Sequence, residues 1–288
     1  MRTGSRLLGM AFLGLVSLPF LTACSGAGEA SLEDRDAPPT ELEFAVSFTE
    51  TLSSEAQDGR VILIISKRED GEPRFQVSSG PTGQQIFGID VEGWAPGTLA
   101  VVGDTVFGFP LDGLGALPPG EYMVQAVLNR YQTFTRSDGH TVKLPPDRGE
   151  GQQWARKPGN FYSTPRSVTL DPDAGGRIEI LLDQVVPEIQ PPEDTEWVKH
   201  VRIRSDLLSD FWGTDMYLGA HVLLPAGFHD HPEARYPLAI FHGHFPSDFG
   251  GFRTEPPDED LEPDYSDRFG VKGYNIIQQQ EAYDFYQR

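Results

Sequence analysis

Residues able to do chemistry are sparse in this chain. Its seven histidines are His140, His200, His221, His229, His231, His242 and His244. Two pairs, His229-x-His231 and His242-x-His244, each set imidazoles two positions apart, with Glu233 and Asp248 close in sequence. Imidazole and carboxylate are zinc-type ligands, but neither spacing is the helical H-E-x-x-H pair. No metal is assigned. A serine nucleophile on a strand-to-helix elbow reads G-x-S-x-G. That pattern is absent from all 288 residues, and Ser247, in FPSDFGG, lacks the flanks. The acidic run TEPPDEDLEPDYSDRF (254–269) lacks the D-x-[DN]-x-[DN]-G calcium loop and reads as a solvated loop. Neither a Walker A nor a G-x-G-x-x-G sequence occurs, so no cofactor is expected. The single cysteine, Cys24, rules out an intrachain disulfide and a cysteine zinc site.

Composition narrows the class. Lys and Arg number 23 against 43 Asp and Glu, a formal charge of −20. A nucleic-acid binder needs Lys and Arg to displace phosphate counterions, so that class is excluded. Hydrophobic residues make up 38% of the chain, enough for a core. Its length suits about two domains, at roughly 100–200 residues each.

The first residues read as an address. Arg2 and Arg6 precede the apolar run LLGMAFLGLVSLPFLTA (7–23), and no acid occurs before Glu29. This is the pattern of a secretory signal. Broken by Pro19, the run falls short of the roughly 20 residues that span a bilayer. Its end, Leu21-Thr22-Ala23-Cys24, resembles the bacterial lipobox. That resemblance implies removal of residues 1–23 and acylation of Cys24. A plain signal peptide with an incidental cysteine is the other reading. Ser25 after the cysteine resembles the sorting signal for the outer membrane, so the expected location is the bacterial cell envelope. A chain this acidic is repelled by anionic headgroups, so lipid must hold it there, at about 0.8 kcal/mol per buried CH₂. Residues 24–41, small, polar and acidic, read as a flexible tether.

Residues 42–186 read as strands. Period-two alternation groups Phe44, Val46 and Phe48, then Phe75 and Val77, then Val142 and Leu144, then Ile178, Ile180 and Leu182. VILIIS (61–66) is an unbroken apolar run, the mark of a strand covered on both faces. Tyr122, Val124, Ala126 and Leu128 line one side of another strand. Asp58-Gly59, Asp70-Gly71, Pro96-Gly97, Pro119-Gly120, Asp138-Gly139 and Gly175-Gly176 are turn signals. Many short strands so punctuated suggest an antiparallel β-sandwich. LPPGEYMVQAVLN is similar to a strand start of immunoglobulin-like and fibronectin-like modules. The long loop 145–165 holds Trp154, Phe161 and Tyr162, placed either to stack on a sugar or neighbouring domain or to fold onto their own sandwich. No chemistry is assigned to this domain. Pro187, Pro191 and Pro192 among acids mark 187–196 as a linker and domain boundary.

The remaining segment, 197–288, carries a second resemblance. VKHVRIRS (198–205) and MYLGAHVLLP (216–225) read as strands, and Leu238-Ala239-Ile240-Phe241 as a short buried strand ending at His242. Leu224-Pro225, Gly227-Phe228, Tyr236-Pro237 and His242-Gly243 follow in order. This succession resembles the start of α/β-hydrolase esterases of the enterochelin-esterase and feruloyl-esterase kind. The resemblance covers roughly 198–246. It implies that His242, Gly243, His244 and Phe245 form the loop presenting one main-chain N–H of an oxyanion hole; the other reading makes His242 and His244 hydrogen-bonded structural residues at a strand end. The family's commoner sequence is HGG, and here His244 takes the place of the second glycine.

The same resemblance puts the nucleophile, acid and base beyond this chain. GYNIIQQQEAYDFYQR (273–288) reads as helix with no stop signal, so the expectation is the first part of a longer enzyme acting on an ester substrate. No catalytic residue is assigned within the 288. The alternative is a non-catalytic surface-binding lipoprotein with a degenerate hydrolase-like part.

Overall fold

The computed structural model describes residues 37–80, 82–242, 249, 252–266 and 269–287. The chain begins β1 (Leu42–Phe48), β2 (Gln57–Ser66), β3 (Gln85–Trp94), β4 (Ala100–Val102), β5 (Gly108–Phe109) and β6 (Gly120–Arg130). It continues through β7 (Gln132–Thr135), β8 (Thr141–Leu144), β9 (Phe161–Tyr162), β10 (Arg166–Leu170), β11 (Gly176–Leu182) and β12 (Gln184–Val185). Later come β13 (Val198–Arg204), helix α1 (Asp206–Trp212), β14 (Tyr217–Leu223), β15 (Tyr265–Ser266), β16 (Val271–Lys272) and helix α2 (Tyr274–Gln287). The fold is mostly β-sheet, in several sheets that are largely antiparallel.

Two of these sheets share one core. The smaller has the order β11-β1-β4, and the larger β12-β9-β6-β2-β3-β5 with β10 also on β6. Phe44, Val46 and Phe48 of β1 meet Val61, Leu63 and Ile65 of β2, and Val124, Ala126 and Leu128 of β6, in a single buried cluster. Alternation puts every second side chain of each strand on this face, so the pattern at 44–48 and 122–128 becomes a two-layer packing consistent with a β-sandwich. One pair departs from the antiparallel expectation. β1 runs parallel to β11, Leu42 opposite Gly176 through Phe48 opposite Leu182. These strands are far apart in sequence, so no hairpin dictates their direction.

The apolar run of β2 is buried on both sides, as its composition requires. Ile62 and Ile64 turn away from the main core and join Val127 in a second cluster, against which Trp154 and Tyr162 pack. The 145–165 loop therefore lies on its own sandwich. Phe161 and Tyr162 are not in a loop but form β9, where Phe161 is buried in the main core, while Trp154 and Tyr162 are half-buried against the second cluster.

Two local expectations fail. Phe75 and Val77 do not share a strand, because Pro73–Phe75 is a 3₁₀ turn started by Pro73. Asp58-Gly59 is no turn; it lies inside β2, where the register with β3 shifts between Gln57 and Gly59. A Cβ on Gly59 would stand 2.3 Å from the Asn129 carbonyl oxygen, so the glycine serves strand approach instead of reversal.

Past the linker, β13 and β14 pair antiparallel from Val198–Leu223 to Arg204–Tyr217. Between them stands α1, which the apolar pattern alone does not announce. Its start and stop are local: Ser205 Oγ accepts the Leu208 N–H, and Gly213 takes φ +68° just past the end. No helix among the described residues is long and apolar enough to cross a membrane.

Candidate functional site

Strands β13 and β14 bring two histidines together that lie 21 positions apart in sequence. His200 and His221 are direct cross-strand partners, their rings edge to face with centroids 4.8 Å apart. Asp194, in the linker, accepts the His200 backbone N–H at 2.8 Å and lies 3.1 Å from His200 Nδ1. That main-chain donor first, and then the ring, hold the Asp194 carboxyl below the usual carboxylate range. A carboxylate that orients an imidazole is half of a general-base arrangement. The other half is missing here: no hydroxyl or thiol among the described residues hydrogen-bonds to either ring. His221 Nδ1 is buried without a hydrogen-bond partner. The arrangement is a polar clasp between linker and ladder.

The succession of Leu224-Pro225, Gly227-Phe228 and Tyr236-Pro237 follows β14. Phe228 N–H donates to the Pro225 carbonyl at 3.2 Å, and Asp230 and His231 N–H both reach the Gly227 carbonyl. This turn lets Phe228 meet Tyr236, with ring centroids 5.6 Å apart. Pro225, Gly227, Phe228 and Tyr236 are thus held together locally.

The expected strand at 238–241 is not formed. Leu238, Ile240 and Phe241 are 79%, 82% and 93% exposed, in chain without regular structure. A strand draws its ladder bonds from neighbours, and no described strand lies beside this run. His242 is exposed at its end. The other residues of the expected oxyanion loop, Gly243, His244 and Phe245, lie outside the described residues, as do Ser247 and Cys24, the expected lipidation residue. His229 and His231 are both exposed, and no group of three His, Cys, Asp or Glu among the described residues is placed to hold a metal ion.

A recess among the described residues lies elsewhere, on the sandwich that carried no assigned chemistry. It opens where β6 ends and holds Arg130, Arg148 and Lys157 together. Sequence reasoning missed it because Arg130 is remote from the loop supplying the other two. One signal was present: 145–157 is a basic stretch, Arg148, Arg156 and Lys157 against Asp147 and Glu150, in an otherwise acidic chain.

No family model matches the chain, and neither a curated protein nor a solved structure does.

Proposed function

We propose that the protein is an exported, lipid-anchored component of the bacterial cell envelope. In this reading an immunoglobulin-like β-sandwich precedes the first part of an α/β-hydrolase domain of the esterase kind. One observation carries the hydrolase part: the β13–β14 ladder, the Pro225–Phe228 turn with its Phe228–Tyr236 contact, and then an apolar run standing bare in water. Three large apolar side chains this exposed, in a row, call for a cover, and a central strand of a hydrolase sheet obtains one from later strands and helices. The immunoglobulin-like reading is supported by Tyr122. Its hydroxyl donates to the Pro118 carbonyl at 2.6 Å, four residues upstream at the start of a core strand, which is the geometry of a tyrosine corner.

In the complete enzyme the loop Gly243–Phe245 would offer a main-chain N–H to the oxyanion formed when a serine attacks an ester carbonyl. The serine, its base and its orienting acid would come from sequence that follows. The coding DNA past Arg288 tests this: an open frame with G-x-S-x-G supports the enzyme, and an immediate stop overturns it. A nitrophenyl acetate assay of the 288-residue chain should give no hydrolysis above background. Hydrolysis that survives Ser247→Ala would show the chemistry to be misassigned.

The anchor has its own test. Wild type and Cys24→Ser are expressed with a labelled fatty acid, and only the wild type should take the label. Equal labelling removes the lipid from the proposal. A non-catalytic binding role is the second reading, favoured by the cationic recess on the sandwich.

A further inference from the structure

Arg130, Arg148 and Lys157 border a recess of about 220 Å³ whose walls include Tyr131, Pro146 and Pro158. Two of the cations are fixed in place. Arg130 Nε donates to Gln57 Oε1 at 2.7 Å and Nη1 to the Gly159 carbonyl at 3.1 Å, while the guanidinium lies over Phe161 at 4.7 Å. Lys157 is 3% exposed; its Nζ donates to the Arg130 carbonyl and, at 3.4 Å, to Asn129 Oδ1. An ammonium has three hydrogens, so one donor remains.

Arg148 is the half-exposed member, and its partner Glu188 is a loose 3.6 Å away. Arg148 Nη1 and Arg130 Nη1 stand 4.0 and 3.7 Å from where a Cβ on Gly159 would lie, so both guanidinium ends border the same small volume. The cations strain against one another. Burial, and after it the charges of Arg148 and Arg130, bring Lys157 down to about 8, with Glu150 opposing. Burial and then Arg148 likewise hold Arg130 below its ordinary value, opposed by Glu55.

Three crowded cations in a chain of charge −20 are costly unless something negative meets them. Carboxylates nearby meet them in part: Glu150 is engaged by the Arg148 backbone N–H at 2.7 Å, and Glu188 holds Arg148 only loosely. We propose that this recess binds an oxyanion, the phosphate or carboxylate group of a small ligand, with Arg130 and Lys157 as fixed floor and Arg148 as the closing clamp. Guanidinium forks and an ammonium donor match oxyanion geometry. The volume lies below the roughly 300–1,000 Å³ of drug-sized pockets, and suits a headgroup. Glu188 is then a built-in competitor for the clamp.

The test is a titration of the full chain with inorganic phosphate and, separately, with acetate at pH 7 and constant ionic strength, followed by calorimetry and by Tm. One of the two should bind saturably; a phosphate response names the phosphate group, an acetate response the carboxylate. Arg148→Gln, at a half-exposed position, should weaken binding at least tenfold. Glu188→Gln should tighten it several-fold by freeing the clamp. Absence of saturation with both anions overturns the proposal, and so does wild-type affinity in both variants.

Discussion

Phe134 of β7 and Trp212 of α1 stand edge to face with ring centroids 5.5 Å apart, joining the sandwich's hairpin to the segment beyond the linker. Around this pair, Ser137 N–H donates to the Phe211 carbonyl at 2.8 Å and the Arg136 guanidinium lies over both Phe211 and Trp212. Gly213 must be glycine twice over: its φ is positive, and a Cβ would lie 2.4 Å from the Thr135 carbonyl oxygen. The stop of α1 is thus also its seat on the hairpin. Among the described residues the sheets stay separate, since β11 pairs with β1 while β13 pairs with β14.

An edge-to-face pair contributes about 0.5–1.5 kcal/mol beyond its buried area. Trp212→Ala should therefore release α1 without unfolding the sandwich. Limited proteolysis should cut 187–196 several-fold faster in the variant, leaving a sandwich fragment intact. Equal rates would mean that the helix does not restrain the linker.

The tyrosine hydroxyl at the start of β6 gives a second test. Tyr122→Phe keeps the ring in the core and deletes only the bond to Pro118. The expected loss is about 1 kcal/mol, read as a lower urea midpoint at unchanged slope. No shift would show that the corner bond merely replaces water.

On the outer face of the large sheet, Gln125 is fully buried. It accepts the Arg74 N–H at 3.0 Å and donates to Glu72 and the Ser163 carbonyl at 2.9 Å each. Burial raises the Glu72 carboxyl, but the Gln125 and Arg74 hydrogen bonds outweigh it and hold the group below its ordinary 4.5. A depressed folded value stabilises above pH 4.5 and ceases to do so as pH falls through it. Glu72→Gln should therefore be less stable than wild type at pH 7, and the gap should close toward pH 3. Gln125→Leu should cost about 2–6 kcal/mol at pH 7, since it orphans the buried Arg74 N–H and Ser163 carbonyl at roughly 1–3 kcal/mol each. A pH-independent gap for Glu72→Gln would contradict the assignment.

Lys157 supplies a pH test of the recess. Its folded value, about 8, lies below the ordinary 10.5. The unfolded chain therefore binds more protons between these values, and this group's contribution to stability rises with pH across that window. Oxyanion affinity should move the other way, falling as pH rises past 8 because the floor loses a charge while Arg130 and Arg148 keep theirs. Calorimetry with acetate, whose own charge is the same at pH 7 and pH 9.5, decides it; unchanged affinity between the two would remove Lys157 from the site.

Local physics made much of this molecule legible in the sequence. Alternation at 44–48 and 122–128, and the unbroken run at 61–66, report burial on one face or two, because a strand's side chains point alternately to either side. Helix α1 was not read, because no apolar period marks so short a helix; its signals, the Ser205 cap and the Gly213 stop, are single residues. The turn uniting Gly227, Phe228 and Tyr236 follows from residues within ten positions of each other.

What neighbours supply was not legible there. The parallel union of β1 with β11 depends on which edges remain free once the hairpins have formed. Leu238–Phe241 has a strand's composition and no strand, because a ladder needs a second chain segment to bond with. The recess is the clearest case. Arg130 ends a strand and Arg148 and Lys157 sit in a loop, and each alone reads as a surface cation. Only when the loop folds over Ile62, Ile64 and Val127 do the three meet, since the apolar cover that Trp154 and Tyr162 provide also sets where their charged neighbours must lie.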